Sequence, residues 1–83
     1  MRKSERRTMN ETKEAIMKYL TTVRPLKPEG EYIGYGDIVK GIEQSLGVIR
    51  SRHAVAYAIE QLCLMGKLKR YDHKLHLVEQ NAI

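Results

Sequence analysis

The run Arg50-Ser51-Arg52-His53-Ala54, with Ala56 and Tyr57 one turn further on, is the stretch of this chain best suited to recognising a polyanion. Arg50 or Arg52 could grip a guanine edge with both arms of its guanidinium fork, and His53 could donate to a purine N7 or a phosphate. Ala56 leaves room for close approach and offers a methyl group to thymine, while Tyr57 carries a hydroxyl for a phosphate. No acidic residue interrupts the chain between Arg50 and Ile59. A second group, Lys69, Arg70, His73 and Lys74, clusters around a tight-turn signal and suits phosphates or a minor groove.

Other chemistries find little support. His73 and His76 are separated across a turn and a strand, and Cys63 is the only cysteine, so the three or four converging ligands of a tetrahedral metal site are missing. The reading is therefore no metal and no cofactor. No nucleophile, base and orienting group occur together, and no carboxylate pair stands out, so catalysis is not expected. Gly34-Tyr35-Gly36 is too short for a phosphate-cradling loop and instead frees the backbone ahead of a helix. Cys63 lies between Leu62 and Leu64, which suits a buried structural thiol in a reducing compartment.

The elements that must position these groups follow from hydrophobic spacing and punctuation. Residues 1–8 read as a flexible basic arm. Thr8 to Glu11 has the form of a capping box opening a first helix. Met9, Ile16, Leu20 and Val23 form its apolar stripe, with Lys13 and Lys18 turned away, and Pro25 stops it. Residues 25–34 form a loop, with a short strand at Tyr32 and Ile33. A second helix runs from Tyr35 to Leu46, contains Gly41 at a position suggesting close helix packing, and ends on a left-handed Gly47. Ser51 is the natural N-cap of a third helix, about 51–65, whose buried stripe is Val55, Ile59 and Leu62, with Ala58 at its edge. His53, Ala56, Tyr57 and Glu60 lie on the other side. Gly66 ends the helix. Leu68–Tyr71 and Leu75–Val78 then pair around Asp72-His73-Lys74, and 79–83 is a tail.

Three helices followed by a basic hairpin define an α+β, winged helix-turn-helix layout in one domain spanning 9–78, since 83 residues hold a single core. The net charge of +5 is unevenly placed: Arg2, Lys3, Arg6 and Arg7 crowd the arm, and Arg50, Arg52, Lys67, Lys69, Arg70 and Lys74 crowd the turn and hairpin. The arm's cations could reach a neighbouring groove. No apolar run approaches the roughly 20 residues of a membrane span, and no signal-peptide pattern opens the chain. The expectation is a cytoplasmic protein of a bacterium, an archaeon or a viral host cell, with no membrane partner.

The segment from Leu46 to Gly66 also resembles the turn and recognition helix of the LexA repressor family's DNA-binding domain. The likeness rests on the Leu46-Gly47 stop, the Arg50-Ser51 opening, and Ala54, Ile59, Leu62 and Gly66 at matching spacing, with one extra residue (Val48 or Ile49) in the turn. That resemblance implies that Ser51, His53, Ala54, Ala56 and Tyr57 face the bases. His53, Ala56 and Tyr57 replace the acidic and amide side chains used by that family, so its operator sequence does not carry over. Its autoproteolytic half is absent. A left-handed-DNA reader is not expected, because Ala56 and Glu60 stand where such winged helices place asparagine and tyrosine, and the chain has no tryptophan. The combined expectation is a sequence-specific transcription regulator of double-stranded DNA. It would act as a homodimer on paired half-sites, through the first helix (Met9 to Tyr19), Leu64 or the tail. The alternatives are a protein-interaction winged helix in a larger assembly and an RNA-binding winged helix.

Overall fold

The computed structural model describes residues 3–78, with side chains from Thr8 onward. Helix α1 (Lys3–Lys18) continues into a single π-helical turn, Tyr19–Val23. Helices α2 (Tyr35–Leu46) and α3 (Arg52–Leu64) follow, and then strands β1 (Leu68–Tyr71) and β2 (Lys74–Leu77). This is the α+β winged helix-turn-helix layout expected from the sequence.

Two expectations about the first helix are corrected. Helical backbone begins at Lys3, so α1 does not open at the Thr8 capping box. The Glu5-Arg6-Arg7 run consists of good helix formers that extend the following helix. Thr8 therefore lies inside the helix, and its carbonyl accepts from the Thr12 hydroxyl at 2.7 Å. The arm's basic side chains and the 79–83 tail lie outside the described residues. The second correction is Val23, which is 45% exposed although Ile16 and Leu20 are fully buried. The widened turn explains it. Arg24 N–H reaches back five residues to the Tyr19 carbonyl (2.7 Å), and this rotates Val23 off the stripe. Arg24 itself has left helical space (φ −137°, ψ 77°), as the residue before Pro25 is pushed to do.

Helix α2 has the bounds expected. Gly47 sits at φ +68°, and the Gly47 and Val48 amides close the last turn on the Glu43 and Ile42 carbonyls. Gly41 is required by packing: a Cβ there would overlap the Tyr19 ring, so the helices approach through that gap. Ser51 caps α3, its hydroxyl accepting from the Ala54 amide at 3.1 Å. The core is built from Ile16 and Leu20 of α1 and its extension, Ile38 and Ile42 of α2, Val55, Ala58, Ile59 and Leu62 of α3, and Leu68 and Leu75 of the hairpin. Burying each Leu or Ile contributes about 1.5–3 kcal/mol against chain entropy.

The hairpin is tighter than the sequence suggested. Asp72 (φ +54°) and His73 (φ +63°) form a two-residue turn with both centres left-handed, and Lys74 is the first residue of β2. The register pairs Leu68 with Leu77, Lys69 with His76, Arg70 with Leu75 and Tyr71 with Lys74. The short third strand contracts to one bridge and moves one residue earlier. Glu31 and Leu75 exchange both backbone bonds (3.1 and 2.8 Å), while Tyr32 is exposed. The Glu31 carboxylate fixes this loop by accepting from Arg24 (2.9 Å) and from the Lys27 amide (3.0 Å).

Candidate nucleic-acid interface

The solvent side of α3 is set by its buried side. Val55, Ala58, Ile59 and Leu62 face the core, which leaves Arg52, His53 and Tyr57 exposed and Ala54 and Ala56 half-buried between them. His53 and Tyr57 stand one turn apart on one face, and Tyr57 is 46% exposed. The first turn of α3 contains no acidic residue. Ser51 is committed to its cap, so its hydroxyl proton remains for an outside acceptor.

Arg50 is not placed with them. Its side chain is 20% exposed and folds back across α1, where Nε donates to the Thr12 hydroxyl at 2.8 Å and Nη1 to the Ile49 carbonyl at 2.9 Å. Nη2 lies 3.5 Å from the Glu11 carboxylate. Thr12 is buried, so the guanidinium also satisfies a hydroxyl that would otherwise lack an acceptor role. Sequence spacing put Arg50 beside Arg52; tertiary contact with α1 separates the two.

The wing residues divide between two faces. Strand alternation puts Leu68, Arg70, Leu75 and Leu77 on the inner face, and Lys69, Tyr71, Lys74 and His76 on the outer one. Arg70 therefore meets α2 and α3. Its guanidinium lies 5.0 Å from the centre of the Tyr35 ring, and with Arg52 and His73 it lines a shallow cleft of about 250 Å³ floored by Ile33, Gly34 and Leu75. Gly34 begins α2 without a side-chain cap, so the positive end of that helix opens into the same cleft, with Asp37 as the acid of its first turn. Two arginines, a histidine and a helix N-terminus thus converge beside the exposed face of α3, an arrangement that attracts a phosphate. Lys69 and Lys74 look away from this cleft.

Tyr35 was missed as a site residue, although an aromatic beside the Gly34-Gly36 pair was its visible signal. Cys63 is half-buried, and burial raises its thiol above the ordinary range, against a smaller lowering by Arg70. Among the described residues no group of three or more His, Cys, Asp or Glu side chains could hold a metal ion, and no helix is long and apolar enough to cross a membrane. The chain matches no protein-family model, no curated protein and no solved structure.

Proposed function

We propose that the protein binds double-stranded DNA sequence-specifically as a small transcription regulator. In this reading α3 enters the major groove, with Arg52, His53, Ala54, Ala56 and Tyr57 toward the base edges. The cleft holding Arg70 and His73 sits on the flanking backbone. The observation behind it is the coupling of a solvent-open helix face, whose first turn carries no acidic residue, to a cationic cleft from three separate elements.

One such helix reads few base pairs, so a homodimer on two half-sites multiplies the discrimination. Leu64 and Met65 are exposed at the far end of α3, away from its N-terminal tip, and offer apolar area for that contact.

Titrating labelled duplex DNA across a salt series tests the proposal. Affinity should fall with a log–log slope of about −0.9 per phosphate neutralised. Arg70→Ala should weaken all duplexes alike and flatten that slope by about one phosphate. A chain that ignores duplex DNA at low salt would refute the proposal.

A further inference from the structure

The outer face of the wing is a separate surface from the cleft beside α3. The Glu31–Leu75 bridge fixes its lateral order, because it sets Tyr32 beside Lys74 and Gly30 beside His76. Two rows result: Tyr32, Lys74 and Tyr71, and below them Gly30, His76 and Lys69. Tyr32 is 68% and Tyr71 67% exposed, a large uncovered aromatic area for so small a domain. Each ring carries a lysine: Lys74 Nζ lies 5.3 Å from the Tyr32 ring centre and Lys69 Nζ 5.7 Å from that of Tyr71.

The floor of this face is closely packed. The His76 ring meets the Tyr71 ring edge-on, with centroids 6.5 Å apart at 64°. It also occupies the space a Cβ at residue 30 would need, and Gly30 stands at φ +86°. The two tyrosines are held roughly 10 Å apart, two strand spacings, on a backbone tied by paired hydrogen bonds. Neither row contains an acidic side chain.

We infer that this face binds single-stranded nucleic acid, with unpaired bases stacking on Tyr32 and Tyr71 and phosphates neutralised by Lys69 and Lys74. Uncovered rings interleaved with cations are what a sequence-tolerant single-strand platform needs, and every base has a π-face to offer. Lysine is depleted at the centres of protein–protein contacts, whereas here lysines stand between and over the two rings. An exposed lysine–ring contact is weaker than base–ring stacking, so the lysines can leave the rings for phosphate when a base arrives. This surface is distinct from the one proposed for duplex DNA, and either can fail without the other.

The test is a fluorescence titration of the full chain with short labelled oligo-dT, oligo-U and an abasic strand of equal length, with duplex DNA in parallel. The wild type should prefer strands with bases to the abasic strand. Tyr32→Ala and Tyr71→Ala should each weaken single-strand binding about 5-fold or more, and leave duplex binding unchanged. Tyr→Phe at both positions should retain binding. Tyr→Leu at both, which keeps apolar bulk but removes the π-face, should lose it as the alanines do. Equal affinity for abasic and base-bearing strands would overturn the inference, as would double-alanine or double-leucine variants that bind like wild type. Binding of oligo-U but not oligo-dT, or the reverse, would support the platform and show that it discriminates by the 2′-hydroxyl or the thymine methyl.

Discussion

Arg50 Nε donates to the Thr12 hydroxyl at 2.8 Å, and that hydroxyl donates in turn to the Thr8 carbonyl at 2.7 Å. The relay joins the turn before α3 to the middle of α1, 38 residues away in sequence. It ties the turn before α3 to α1 and removes Arg50 from the groups free to meet a nucleic acid.

Arg50→Ala should therefore act on stability. Loss of a charged donor to a buried hydroxyl costs about 2 kcal/mol, read as a lower urea midpoint at unchanged slope. Base preference should survive in whatever fraction remains folded. Arg52→Ala should show the opposite profile, with normal stability and relaxed preference. Equal stability loss in both variants would contradict this division.

Gly41→Ala should destabilise, against the usual trend. In a helix interior this exchange ordinarily gains up to about 1 kcal/mol. Here the new methyl overlaps the Tyr19 ring, and overpacking of that kind costs about 1–3 kcal/mol. Combining it with Tyr19→Leu should recover part of the loss, a coupling readable in a double-mutant cycle.

His73→Gly should trade affinity for stability. A non-glycine residue at φ +63° costs about 1 kcal/mol that glycine avoids. The variant should thus unfold later in urea, while duplex binding weakens because the imidazole leaves the cleft with Arg52 and Arg70.

Cys63 should alkylate more slowly in the folded chain than in urea, because burial raises the thiol and lowers its thiolate fraction. Arg70→Ala removes the opposing positive charge and should slow it further. A raised folded-state value stabilises the fold below the unfolded thiol's range, and that contribution is lost as pH rises through the folded one. Stability should accordingly decline more gently at alkaline pH in Cys63→Ser.

What the sequence reveals here is mostly local. The Tyr35 start and Gly47 stop of α2, the Ser51 cap and the exposed His53–Tyr57 face depend on residues within a turn or two of one another, so spacing discloses them. The π turn at Tyr19–Val23 is a change of one residue in hydrogen-bond reach, which a 3.6-residue pattern cannot signal. The fate of Arg50 depends on Thr12, and helix packing alone brings them together. The division of the wing, Arg70 inward and Lys69 and Lys74 outward, follows from a register set by the two-residue turn, where a three-residue turn had been expected. Tyr32 and Tyr71 gain meaning only once the Glu31–Leu75 bridge aligns them.

Selecting bound duplexes from a random pool, with wild type and Arg52→Ala in parallel, tests the account most directly. The wild type should recover one motif, and the variant should lose specificity at particular positions of it while still retaining DNA. A featureless wild-type pool, or an identical motif from both proteins, would contradict the assignment of α3 as the reading helix.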